Sequence, residues 1–116
     1  MPISISILGL GKMGENHLRV LNLMKNVDIK FIYDENIERL NDLSKVYNVK
    51  FTQNLDKALE NCDAVYISTP TNTHLKLFQK CYDKVENIFL EKPPATNLKD
   101  SIHIQKLAKS NNNFVQ

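Results

Sequence analysis

The segment Ile3-Ser4-Ile5-Ser6-Ile7-Leu8-Gly9-Leu10-Gly11-Lys12-Met13-Gly14 begins as an Ile/Ser alternation, turns wholly apolar, and breaks at a glycine. Alternation with β-branched residues over six positions reads as a strand. Beyond the break, Leu18, Leu21 and Met24, joined by His17 and Val20, recur at three- and four-residue intervals from Lys12 to Lys25, which predicts a helix with one buried stripe. The glycines therefore lie where a strand hands over to a helix. The chain contains 3 glycines, all of them Gly9, Gly11 and Gly14, where average usage would supply about eight. Each has a physical reason. Gly9 permits a tight turn off the strand, Gly11 lets backbone amides approach a pyrophosphate, and Gly14 allows close helix–strand packing. The start of the helix presents N–H groups without internal acceptors and a partial positive charge, which favours an anion. A plain glycine turn is the competing reading, and the Gly-Lys-Ser/Thr ending of a phosphate-binding P-loop is missing. Leu10, Lys12 and Met13 share the turn and count with the glycines as candidate contacts of a bound dinucleotide.

Working outward, the alternation of strand and helix repeats. Ile29 to Tyr33 reads as a strand, followed by a helical stripe of Ile37, Leu40, Leu43 and Tyr47. Val49 to Thr52 is a third strand, with Leu55, Ala58 and Leu59 in a short helix behind it. Ala64 to Ser68 is the fourth strand, with Leu75, Phe78, Tyr82 and Val85 on one helical face after it. Ile88 to Leu90 is the fifth, Leu98 to Lys109 a fifth helix, and Phe114-Val115 a sixth strand cut short. Strands separated by helices need crossover connections, and right-handed crossovers make a parallel sheet covered on both faces. The expected fold is α/β, a doubly wound Rossmann sheet of strand order 3-2-1-4-5 with a truncated sixth strand, and residues 1–116 read as one domain.

Composition narrows the function classes. The formal net charge is +2 and the charges are interspersed, so nucleic acid is not an expected partner. No basic leader precedes the first apolar stretch and no apolar run approaches the length of a membrane span, so a cytoplasmic protein is expected. Cys62 and Cys81 lie outside any metal or redox spacing and read as reduced and buried; no metal site is expected.

Three further segments carry candidate chemistry. Asp34 ends the second strand twenty residues after Gly14, where a carboxylate can accept hydrogen bonds from the adenosine ribose. This favours NAD over NADP, whose 2′-phosphate would meet Asp34 and Glu35 with like charge, although Arg39 is one helical turn away and able to reorient. The competing reading has Asp34 capping a helix that begins at Glu35. Thr69-Pro70-Thr71-Asn72-Thr73-His74 follows the fourth strand and should border the switch-point crevice, which makes Thr69, Pro70, Thr71 and His74 cofactor candidates. On the other reading Thr71, Asn72 and Thr73 cap the next helix and His74 is solvated in its first turn. Glu91-Lys92-Pro93-Pro94 ends the fifth strand at the same edge, either at the nicotinamide end of a dinucleotide or as a solvated strand end.

Gly9-Leu10-Gly11-Lys12-Met13-Gly14, Tyr33-Asp34, Thr69-Pro70 with His74, and above all Glu91-Lys92-Pro93 together resemble the N-terminal domain of the Gfo/Idh/MocA oxidoreductase family, with motif order and spacing kept along essentially the whole chain. The resemblance implies NAD-dependent hydride transfer between nicotinamide and a carbon bearing a hydroxyl or keto group, usually on a sugar, cyclitol or similar polyol. It implies that Lys92 is the catalytic residue beside that oxygen, that Glu91 orients Lys92 or its loop, and that Pro93 fixes the loop's direction. Pro94 departs from the pattern, since an aliphatic residue commonly follows. Family members continue into a second, sheet-rich domain that supplies substrate contacts, and these residues do not include it. The chain alone is thus expected to bind the dinucleotide with little or no turnover, with homo-oligomerisation open. Two other readings stand beside this one. The first is a stand-alone NAD-sensing or adaptor module without catalysis. The second is a methyltransferase fold, which gives no reason for Glu91-Lys92-Pro93.

Overall fold

Strand β1 (Ile3–Leu8) lies in the middle of the sheet, and its neighbouring residues Ile7 and Leu8, both fully buried, enter two different cores. Successive side chains of a strand point to opposite faces, so one central strand serves both layers. The computed structural model describes residues 2–91, 95, 97–111 and 114–115. Among them the sheet is parallel throughout, in the order β3-β2-β1-β4-β5-β6. The other strands are β2 (Val27–Tyr33), β3 (Phe51–Thr52), β4 (Ala64–Ile67), β5 (Asn87–Leu90) and β6 (Phe114–Val115). This is the doubly wound order read from the sequence, and β6 pairs with β5 as Asn87↔Phe114 and Ile88↔Val115.

The helices are α1 (Lys12–Asn22), α2 (Ile37–Tyr47), α3 (Leu55–Leu59), α4 (His74–Cys81) and α5 (Leu98–Ser110). On one face Ile7 packs with Leu10, Leu18, Ile32, Leu40 and Leu43, under α1 and α2. On the other, Leu8 packs with Ala58, Val65, Ile67, Phe78, Cys81, Ile88 and Ile104, under α3, α4 and α5. Ser6 is fully buried on β1, and its hydroxyl donates to the Ala58 carbonyl at 2.6 Å, which satisfies the polar group inside the apolar layer.

Element boundaries depart from the periodicity in instructive places. Helix α1 ends at Asn22 rather than Lys25, and Val20 and Met24 are about half exposed. Val20 is two positions from Leu18, about 200° around the helix, and Met24 lies past the last turn, so neither shares Leu18's buried face. Strand β2 begins at Val27, two residues before the apolar run, because the ladder pairs Ile3 with Val27 whatever the polarity of Asp28. Strand β3 begins at Phe51 rather than Val49, because Asn48 closes α2 in the left-handed region (φ 54°) and Val49 donates its N–H back to the Ser44 carbonyl at 3.1 Å.

Three helices begin on asparagine: the side chains of Asn36, Asn54 and Asn97 accept from the N–H groups of Arg39, Lys57 and Asp100 at 3.1, 3.2 and 2.8 Å. Such a cap satisfies one of the otherwise unpaired first-turn donors. Helix α1 instead begins on Gly11, which has no side chain to offer, and α4 begins on Thr73 without a side-chain cap. Both uncapped starts lie at the carboxyl edge of the sheet. Cys62 and Cys81 are free and buried, and burial pushes the Cys81 thiol up to about 12. No helix of the described residues is long and apolar enough to cross a membrane.

Candidate functional site

The glycine turn is built from three different constraints. Gly9 has φ 98°, and a Cβ there would lie 2.6 Å from the Thr69 backbone nitrogen. Gly14 meets the turn from the helix side, where a Cβ would stand 2.0 Å from the Gly9 carbonyl oxygen. At Gly11 an added Cβ would meet nothing within 4 Å. Gly9 and Gly14 are therefore glycines because the protein fills the space, whereas Gly11 faces space the protein leaves open. The amides of Gly11, Lys12, Met13 and Gly14 are the first-turn donors of α1, without a carbonyl one turn earlier to accept them.

A cleft of about 780 Å³ opens on this turn, within the range of small-molecule sites. Gly9, Leu10, Gly11, Lys12, Met13 and Asp34 line one side of it, and Thr69, Pro70 and Thr71 the other. Nine of the sequence candidates thus share one concavity at the switch between β1 and β4. Gly14 lies beneath the turn. The cleft also takes in Leu55 and Leu77 as apolar wall, and Lys76 and Lys80 from successive turns of α4. The sequence reading missed these four; for the three on α4 the signal was the three- and four-residue spacing of Thr73, Lys76, Leu77 and Lys80.

Asp34 does not cap α2, which begins two residues later than that reading required, at Ile37 with Asn36 as its cap. Its Oδ1 accepts from the Asn36 N–H at 2.9 Å and its Oδ2 from the Leu10 N–H at 2.8 Å. Each carboxylate oxygen can accept a second hydrogen bond, so the side chain retains capacity toward the cleft while fixing the glycine turn to the end of β2.

Beyond β4, Thr71–Thr73 forms a 3₁₀ turn leading into α4. The capping expected of Thr71, Asn72 and Thr73 is not made, since neither the 3₁₀ turn nor α4 has a side-chain cap. The Thr73 hydroxyl lies 2.7 Å from the Thr69 hydroxyl and donates to the Pro70 carbonyl at 2.6 Å, which ties the loop to itself rather than to the helix. His74 is buried, 1% exposed, and not solvated. Its Nε2–H donates to the Thr69 carbonyl at 2.9 Å, so its place is under the loop rather than in the cleft.

Glu91 turns away from the cleft lining to a separate cluster. It accepts from the Tyr66 hydroxyl, whose oxygen lies 2.5 Å from His17 Nε2, and the His17 and Glu91 side chains approach to 3.7 Å. The His17 and Tyr66 rings pack at 4.1 Å between centroids. Burial first, and then the hydrogen bond to Glu91, push the Tyr66 phenol above its ordinary value. The cluster ties α1, β4 and the end of β5 together immediately before Lys92. Lys92 and Pro93 lie outside the described residues. No group of three or more His, Cys, Asp or Glu able to hold a metal occurs among the described residues.

Comparison with known proteins agrees with this geometry. The chain is 31% identical over 99 residues to myo-inositol 2-dehydrogenase of Thermotoga maritima, an alignment covering 83% of this chain and 30% of the relative. It is 24% identical over 97 residues to glucose-6-phosphate 3-dehydrogenase of Bacillus subtilis, covering 84% and 28%. Among solved structures, myo-inositol 2-dehydrogenase of Lactobacillus plantarum superposes with a TM-score of 0.90 at 26% identity, over 100% of this chain and 36% of that one. Scyllo-inositol dehydrogenase of Lactobacillus casei, solved with NAD(H) and scyllo-inositol, shares the fold with a TM-score of 0.91 at 22% identity, over 100% and 36%. The chain spans about a third of the length of these relatives. The profile of the oxidoreductase family with an NAD-binding Rossmann fold matches residues 3–116, and sets the methyltransferase reading aside. By fold, by turn and by this match over nearly its whole length, the chain belongs to the Gfo/Idh/MocA oxidoreductase family.

Proposed function

We propose that these residues form the dinucleotide-binding part of a cytoplasmic oxidoreductase that moves hydride between nicotinamide and a sugar, cyclitol or similar polyol. The observation that carries the reading is Gly11: it starts a helix without a side-chain cap and faces open space beside first-turn amides, in a chain that caps three other helices with asparagine. A pyrophosphate fits there as the acceptor those amides need. Asp34 would accept from the ribose hydroxyls, Leu55 and Leu77 would offer apolar surface to the adenine, and Thr69, Pro70 and Thr71 would border the path toward the nicotinamide. When bound, NAD supplies the hydride acceptor. Lys92 would orient the substrate oxygen and stabilise its developing negative charge. Glu91, held by Tyr66 and His17, would fix the start of the loop that carries it.

Titration calorimetry with NADH, NADPH and S-adenosylmethionine tests the binding reading, with NADH expected tightest; tightest binding by S-adenosylmethionine would end it. Gly11→Ala is the matching variant. With nothing near the added methyl and an ordinary φ of −68°, thermal stability should be unchanged, while NADH affinity falls about tenfold as the methyl holds the pyrophosphate off the amides. For the hydride step, these residues joined to the remainder that the relatives carry should reduce NAD in the presence of a cyclitol or sugar, followed by NADH absorbance. Reduction with none of them, despite NADH binding, would favour the sensing module instead.

A further inference from the structure

Arg39 reaches back from the first turn of α2 to the glycine turn, where its Nε donates to the Leu10 carbonyl at 2.8 Å. The N–H of the same Leu10 donates to Asp34. Leu10 is thus gripped at its amide by the carboxylate proposed to read the ribose, and at its carbonyl by a guanidinium. That guanidinium is not left with its charge exposed. Its Nη2 meets Glu15 Oε1 at 2.5 Å, and the other Glu15 oxygen accepts from the Tyr47 hydroxyl at 3.3 Å. Glu15 and Arg39 are each only about a third exposed, at 35% and 36%.

A guanidinium is the side chain best suited to a phosphate monoester, because its planar fork donates two parallel hydrogen bonds and keeps its charge. The turn therefore contains, next to the acid that would repel a 2′-phosphate, the cation that would bind one, and that cation is already engaged by a carboxylate from another helix. We propose that Glu15 is a specificity-determining residue: by holding Arg39 against the Leu10 carbonyl it withholds the guanidinium from a 2′-phosphate, and with Asp34 it sets the preference for NAD over NADP. This rests on the dinucleotide reading of the cleft. The preference then has two parts, a repulsion from Asp34 and a withheld attraction governed by Glu15, and the second emerges fully only when the first is removed.

The test is the ratio of NADPH to NADH affinity, measured by calorimetry in the wild-type chain, Glu15→Gln, Asp34→Ser, the double variant, and the double variant with Arg39→Met added. Glutamine keeps the size of Glu15 and one acceptor oxygen for Arg39 while removing the charge; its amide nitrogen donates, so the Tyr47 hydroxyl would accept from it instead of donating, and the residue is partly exposed, so the fold should tolerate it. The ratio should rise about threefold in Glu15→Gln, and about tenfold further in the double variant than in Asp34→Ser alone. Adding Arg39→Met should abolish that gain. A purely structural role for Glu15 would change both affinities by the same factor and leave the ratio fixed, which overturns the proposal, as does a gain that survives loss of Arg39. Failure of the wild-type chain to bind either dinucleotide would overturn the reading of the cleft itself, whereas NADH binding with an unmoved ratio overturns only the role of Glu15.

Discussion

Gly14→Ala should lower the stability of the chain by about 3 kcal/mol or more, the upper end of what an overpacked methyl costs, and its thermal midpoint by about 10 °C. The reason is where the methyl must go. It would lie 2.0 Å from the Gly9 carbonyl oxygen, 2.7 Å from the Ser68 hydroxyl and 2.9 Å from the Gly9 carbonyl carbon. Two of those atoms are backbone, and the backbone is pinned. The Gly9 N–H donates to the Tyr33 carbonyl at 2.8 Å, the Ser68 N–H to the Leu8 carbonyl at 2.8 Å, and the Ser68 hydroxyl to the Gly9 carbonyl at 2.8 Å. To admit the methyl, α1 must lift from β1 and break contacts around Leu18, or the turn must release β2 and β4. Circular dichroism melting of Gly14→Ala beside Gly11→Ala checks this within one turn, because both add the same methyl three residues apart. Equal melting of the two variants would show that α1 does not cross β1 as closely as described.

Asp34→Ser should weaken NADH about a hundredfold while NADPH changes only a few-fold. Hydrogen bonds to a charged acceptor contribute about 1.5–3 kcal/mol each, and two ribose hydroxyls on one carboxylate make roughly 3 kcal/mol, or a factor of about one hundred. For NADPH that loss is offset by removal of a negative charge facing the 2′-phosphate. Serine is the better replacement than alanine, since Asp34 also accepts from the Leu10 and Asn36 N–H groups and a hydroxyl keeps one acceptor for them. Calorimetric titration with both dinucleotides checks the result. If both weaken by the same factor, Asp34 shapes the turn and does not read the ribose.

The layout of the sheet was legible because hydrophobic periodicity and the placement of the glycines are local signals. Six strands in the doubly wound order, the two cores divided at Ile7 and Leu8, and the gathering of nine candidate residues around one cleft all follow from the order of elements once crossovers are right-handed. What was not legible depends on partners far away in the chain. His74 reads as polar and solvated, yet it is buried because the loop folds back to place the Thr69 carbonyl over its Nε2. Glu91 reads as a cleft residue, yet it turns to Tyr66 and His17, which are 25 and 74 positions away and share no motif with it. Asp34 and Asn36 compete for the same cap within three residues, and propensity alone does not rank them. Asn36 is placed to accept from Arg39, and Asp34 is drawn off by Leu10. Likewise, no pattern in the sequence links Glu15 with Arg39, because their meeting needs α1 and α2 to lie side by side on one face.

Helix α1 begins without a side chain of its own to complete it. A dinucleotide seated on Gly11 would do for it what Asn36, Asn54 and Asn97 do for their own helices, and a ligand that completes the native state but not the unfolded one stabilises it in proportion to the logarithm of its concentration. Survival of the folded molecule against heat or proteolysis would then track the supply of its cofactor, making the missing side chain at one position a thermodynamic gauge of the surrounding nucleotide pool.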